Sequence, residues 1–168
     1  MLGVNMTGME WNKVIEMKKM QNVLDEAILK EHQCEFDKNK CKLALFDELG
    51  EMNHENKGSW CWWKYTQKPV DREKLLEELV DAWHFAMSLD NHTRKGIERD
   101  FDPVMYEHFE HLACNSLADL MAMTVYMDFD YVELMLLITE KLGFTIDDIY
   151  ECYQKKNKVN FERLKNGY

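Results

Sequence analysis

The stretch KLLEELVDAWHF, residues 74–85, has the period of a helix and carries an anomaly. On a helical wheel its apolar arc runs from Phe85 through Leu75, Leu79 and Trp83 to Val80. Glu78 falls between Phe85 and Leu89, with Asp81 next to them, so carboxylates enter the edge of the apolar face. A buried carboxylate without a partner costs several kcal/mol or takes up a proton. Something other than packing must account for these two acids.

The preceding helical segment repeats the anomaly. In FDELGEM, residues 46–52, Glu48 lies mid-stripe among Cys41, Ala44, Leu45 and Met52, and Glu51 lies one step aside. The chain thus holds two pairs, Glu48-x-x-Glu51 and Glu78-x-x-Asp81, each on a core-facing side. Facing pairs make sense if cations sit between them. Oxygen-only donors suit Mg²⁺, with Mn²⁺ as a substitute, and such ions activate water and neutralise a phosphoryl group under attack. The plainer reading, acids solvated at the core margin, fits a lone ExxE better than it fits Glu48 at mid-stripe with a second pair on the next helix.

Opposite charge comes from YQKKNKVNFERLKNGY, residues 153–168, where Lys156, Asn160 and Arg163 share a helix face. Two cations flanking an amide suit a phosphate chain and a sugar hydroxyl. Lys and Arg near a helix C-terminus also favour its dipole, which is the structural reading of the same segment.

Two prolines, few glycines and long stretches of period 3.6 predict an all-α protein. A first helix is expected from about residue 7 to 32, with Val14, Met17, Gln21, Leu24 and Ile28 on one stripe. A second covers residues 38–56, and the aromatic loop GSWCWWKYTQKP follows. Asp71 can cap a third helix ending near Asn91. The polar connector NHTRKGIERDFD leads to Asp102-Pro103, which opens a fourth helix reaching about Met127. A fifth is expected over residues 130–142, stopped by Gly143, and Thr145 with Asp148 forms a capping box for a last helix to about Lys165. Short turns between helices imply a single domain, residues 1–168, built as a bundle of about five to six helices.

The bulk numbers narrow the function classes. A formal charge of −10 disfavours a nucleic-acid surface. No stretch reads as a membrane span or a secretory signal, so a cytoplasmic protein is expected. The 5 cysteines, odd in number and without a CxxC pair, read as reduced thiols. No Walker A loop or GxGxxG is present, which leaves metal ions and basic side chains to manage any phosphate.

Taken together, the blocks KMQNVLDE, ELGE, WCWWK and EELVDAWHF and the terminal pattern Y-x-x-K-N-x-x-N-x-x-R resemble the all-α dimeric dUTP pyrophosphatases. These belong to the wider MazG-type nucleoside triphosphate pyrophosphohydrolases. The likeness covers most of the chain apart from residues 90–145. It implies Glu48, Glu51, Glu78 and Asp81 as metal ligands, with Glu48 or Glu51 also orienting the attacking water. It implies Phe85 as an aromatic wall for the base, Trp63 and Lys64 as the loop's aromatic and basic pair, and Lys156, Asn160 and Arg163 as phosphate and sugar contacts. The reaction implied is Mg²⁺-dependent hydrolysis of dUTP to dUMP and pyrophosphate by a homodimer, with dUDP a candidate second substrate and uracil kept out of DNA. Gln21 is the expected base reader, because one amide offers a donor and an acceptor to a uracil edge. A core-edge amide satisfied within the protein is the other reading of Gln21. The loop after Glu51 is about two residues longer than in the family, and Glu55 on the carboxylate face is either an added ligand or solvated.

Other readings remain at this stage. A di-iron bundle would use Glu51-x-x-His54 and Asp81-x-x-His84, but both histidines point away from the apolar arcs of their helices. His108, His111 and Cys114 have zinc-like spacing on a helix that reads as partly exposed. Twelve methionines raise the possibility of a catalytically silent partner-binding bundle, which would have no use for inward carboxylates. A broader or dCTP-preferring pyrophosphohydrolase differs only in its base pocket.

Overall fold

Side-chain caps set the helix boundaries in the computed structural model, which describes residues 6–93, 96–112, 116–126, 128 and 130–167. Thr7 and Glu10 form a capping box that starts α1 (Gly8–Glu31). Asp37 accepts from the Asn39 and Lys40 amides to start α2 (Lys38–Glu55), and Asp71 does the same with Glu73 and Lys74 for α3 (Arg72–Asn91). A single 3-10 turn (Lys57–Ser59) opens the aromatic loop between them.

The expected fourth helix is two elements, α4 (Pro103–Leu112) and α5 (Leu117–Tyr126). Ser116 Oγ accepts from the Asp119 amide at 3.4 Å, so α5 has a start signal of its own. The expected end near Met127 and the Cys114 of the zinc reading lie outside the described residues, as does Tyr168. Next comes α6 (Tyr131–Lys141), which ends where Gly143 takes φ 73°, with Gly143 N–H on the Glu140 carbonyl and Phe144 N–H on that of Thr139. The capping box of Thr145 and Asp148 then starts α7 (Ile146–Lys165). Among the described residues the protein is seven α-helices and no strand.

The centre of the bundle is α3, which packs on α1, α2, α6 and α7. From Leu79 to Asp90 it is almost wholly buried, with only Asp81 and Phe85 half-exposed. Trp83 fills the space against α6 and donates to Thr139 Oγ1 at 2.9 Å. At its start, Arg72 donates to the Leu142 and Gly143 carbonyls at 2.7 and 3.1 Å, tying α3 to the end of α6. On α1 the stripe Val14, Met17, Gln21 and Leu24 is buried as expected, whereas Ile28 is exposed.

The connector before α4 is anchored rather than solvated. Arg99 forks between Asp90 of α3, at 3.0 and 3.2 Å, and Glu133 of α6, at 2.6 and 2.9 Å. Lys18 of α1 reaches Asp90 at 2.5 Å and the Gly96 carbonyl at 2.6 Å. Two cations and two anions are thereby buried together, each charge with a partner of opposite sign.

Candidate active site

Leu45, Leu49 and Met52 bury one side of α2 against α3, and Glu48 shares that side, so the packing itself carries its carboxylate to the α2–α3 seam. On α3, Glu78 and Asp81 flank the buried Leu79 and Val80 and reach the same seam. One oxygen each from Glu48, Glu78 and Asp81 lie within 4.8 Å of one another, and all three residues are half-buried. Among the described residues this is the group of His, Cys, Asp and Glu side chains close enough to hold a metal ion. Glu51 stands on the rim, exposed, in a cleft of about 400 Å³ lined also by Asp47, His54, Glu55 and Glu78.

The crowding is costly without a cation. Burial raises the Glu48 pKa to about 7, helped by the charges of Asp81, Glu51 and Glu78. Burial also raises that of Glu78, against the pull of Lys156. Lys156 of α7 supplies positive charge by ion-pairing with Asp81. Carboxylate oxygens at this spacing, held apart from full solvation, fit a hard divalent ion.

One turn further along α3 is a second polar group. Gln21 is buried, its Nε2 donating to Asp25 Oδ1 at 2.8 Å and to Ser88 Oγ at 3.1 Å. Its Oε1 accepts from the Tyr153 hydroxyl at 2.9 Å and meets His84 Nδ1 at 2.6 Å. Asn157 of α7 donates to the same tyrosine oxygen at 3.2 Å. Asp25 Oδ2 faces His92 Nε2 across 3.6 Å, and His92 stacks on Phe36.

The remaining sequence-predicted residues surround these two groups. Phe85 is half-buried beside His84 and its carbonyl accepts from Cys41 Sγ at 3.7 Å. Trp63 and Lys64 lie on the exposed loop, where Trp63 makes edge contacts with Trp60 and Trp62. Asn160 is half-buried and Arg163 exposed, both on α7 beyond Lys156. A larger, mostly apolar groove of about 530 Å³ runs between α2, Trp60 and α5 and contains none of the carboxylates of the cluster.

Asp25 and Ser88 carry no signal in the sequence, and His84 enters there only through the di-iron reading. The wheel placed His84 away from the core arc, yet it is buried, because α1 and α7 cover the side of α3 that α2 and α6 leave open. Neither histidine of the di-iron reading reaches the acids, since His54 meets Lys57 at 2.7 Å and His84 meets Gln21.

A family model described as dUTPase matches residues 13–168. The chain belongs to the dimeric, all-helical dUTPase family. It is a dUTP diphosphatase, and no curated protein matches it. The match runs across residues 90–145 as well, the stretch where the sequence departs from the family's motifs.

Proposed function

We propose that this dUTPase converts dUTP to dUMP and pyrophosphate with Mg²⁺ held by Glu48, Glu78 and Asp81. The observation that carries this is the meeting of three half-buried carboxylate oxygens within 4.8 Å, with a lysine ammonium as their nearest compensation. When bound, the ion neutralises charge on the phosphate chain and lowers the pKa of water. Glu51 stands outside the three-oxygen group and on the cleft, which favours it for orienting the attacking water and taking its proton. Lys156 and Arg163 offset charge on the leaving pyrophosphate, Lys64 helps from the loop, and Asn160 holds a sugar hydroxyl. Phe85 and Trp63 flank the base, and Gln21 belongs to the base end of the site. Asp81 and Ser88 are about 10 Å apart along α3, which separates a phosphate end from a base end.

Mn²⁺ substitutes for Mg²⁺, and dUDP is a second substrate. The protein acts as a homodimer in the cytoplasm, where it limits uracil in DNA; the unpaired thiols of Cys34, Cys41, Cys61 and Cys152 support a reducing compartment. The test is hydrolysis of dUTP, dUDP, dCTP, dTTP and UTP with Mg²⁺ and with EDTA, followed by chromatography. Metal-dependent release of dUMP from dUTP supports the reading. Turnover spread evenly over all bases refutes uracil preference, and full activity in EDTA refutes the metal.

A further inference from the structure

Of the three carboxylates that meet at the α2–α3 seam, Asp81 is the one that another side chain holds. Lys156 Nζ donates to Asp81 Oδ2, whereas Glu48 and Glu78 form no hydrogen bond or ion pair among the described residues. The pair is sheltered, its two side chains only 23% and 29% exposed, so water does not screen it fully. A packed helix brings the ammonium there. α7 lies on both α1 and α3, and it is tied to α1 by Lys13 to Asp147 at 2.5 Å and by Tyr150 to Glu16 at 2.7 Å. One turn before Lys156, Tyr153 is fully buried with its hydroxyl on Gln21.

The pairing supplies what an aspartate lacks. Its terminal torsion is broad and nearly two-fold, so no rotamer well fixes the direction that the carboxylate plane faces. A donor on Oδ2 fixes that plane and leaves Oδ1, which has no hydrogen bond among the described residues, as the oxygen to give to an ion. Carboxylates that ligate metals are held by such partners, and losing the partner weakens the metal. Charge alone argues the other way. An ammonium beside the site repels a divalent cation, so as a bare charge Lys156 would weaken the ion's binding. The two effects have opposite signs, which makes them separable.

We propose that Lys156 is a positioning residue for Asp81: its ammonium holds Oδ2 so that Oδ1 is presented to the divalent ion, and it keeps that bond while the ion is in place. The inference rests on the metal site proposed above. An ammonium carries three hydrogens, so the bond to Asp81 leaves two for the phosphate chain, and one side chain links a metal ligand to the substrate.

The experiment is Mn²⁺ titration of the full chain without nucleotide, followed by the EPR signal of free Mn²⁺, in the wild type, Lys156→Met and Lys156→Arg. Lys156→Met is expected to bind Mn²⁺ about tenfold more weakly, in spite of losing a positive charge. Lys156→Arg keeps a donor and the charge and is expected to recover most of that loss. Unchanged or tighter binding in Lys156→Met, or a Lys156→Arg that binds as weakly as Lys156→Met, overturns the proposal. The wild type gives a second reading that needs no substitution, ¹⁵N NMR of the lysine ammonium groups. The scalar coupling across the hydrogen bond from Lys156 Nζ to the Asp81 carboxyl carbon is expected to survive saturating Mg²⁺. Its disappearance when Mg²⁺ binds means that the ion displaces the lysine, and the proposal fails. Mn²⁺ binding that Glu48→Gln weakens and Lys156→Met does not keeps the site reading and sinks this inference. A wild-type chain that binds no Mn²⁺ sinks both.

Discussion

Replacing Glu48 by Gln keeps the shape of the side chain and removes the charge that four neighbouring acids oppose. Because its oxygen belongs to the close group and that of Glu51 does not, the two substitutions should fail differently. Glu48→Gln is expected to weaken Mn²⁺ binding at least about tenfold and abolish turnover. Glu51→Gln is expected to bind Mn²⁺ almost as well as the wild type and still lose turnover. Direct Mn²⁺ titration beside the chromatographic assay separates them, and equal metal loss in both would return Glu51 to the ligand set. A second residue-scale expectation concerns acid. The native His84 pKa lies at about 3, below the ordinary 6.5, owing to burial and then to Lys156. Between those values the unfolded chain binds a proton that the native state refuses, so this contribution is intact above about pH 6.5 and is lost as pH falls toward 3. Urea unfolding at pH 7 and pH 5 should show a smaller acid loss in His84→Gln than in the wild type; equal losses would mean that His84 does not titrate this way. The acids were legible in the sequence because period 3.6 alone exposes a carboxylate on an apolar stripe. His84 was not, since one helix's wheel cannot show which other helices cover its far side.

Helices with a strong local start signal were readable from the chain alone. Asp71 and the Thr145–Asp148 box act where side-chain spacing places them, needing no distant partner. The division of the fourth helix was harder to foresee, because Leu117, Leu120 and Met121 continue the apolar spacing of Met105 and Phe109 across it. Least legible was the connector of residues 91–102, whose polar composition resembles a solvated loop. Its Arg99 is instead the bridge between α3 and α6, stacked also near the Trp11 ring at 5.2 Å. Removing it strands Glu133 and leaves Asp90 with Lys18 alone. Arg99→Met is therefore expected to cost about 3–5 kcal/mol, the range for breaking a buried ion pair by deleting one partner. Urea denaturation at neutral pH measures it, and a cost under about 1 kcal/mol would show that the connector folds without the bridge.

The methionines of the interaction-module reading are largely spent inside the molecule, with Met17, Met52, Met87 and Met135 in the core. What the single chain leaves outside is aromatic and aliphatic. Trp62 is 88% exposed and Tyr65 106% exposed on the loop after α2, and Leu112, Val125 and Tyr126 are exposed on α4 and α5. The groove shared by Trp60 and Met121 puts the start of that loop beside the first turns of α5. Large exposed apolar groups of this kind are what a homodimer interface covers. Sedimentation equilibrium at micromolar concentration is expected to give twice the 20.1 kDa chain mass. Charging α5 through Val125→Asp with Tyr126→Asp should shift the equilibrium toward the single chain, because an interface core tolerates unpaired charge poorly. These positions lie on a different helix from Glu48, Glu78 and Asp81, so the Mn²⁺ binding proposed for those carboxylates should persist in the dissociated chain. A double variant that remains dimeric would place the interface on another face, and a wild-type chain that sediments at its own mass would exclude a dimer under those conditions.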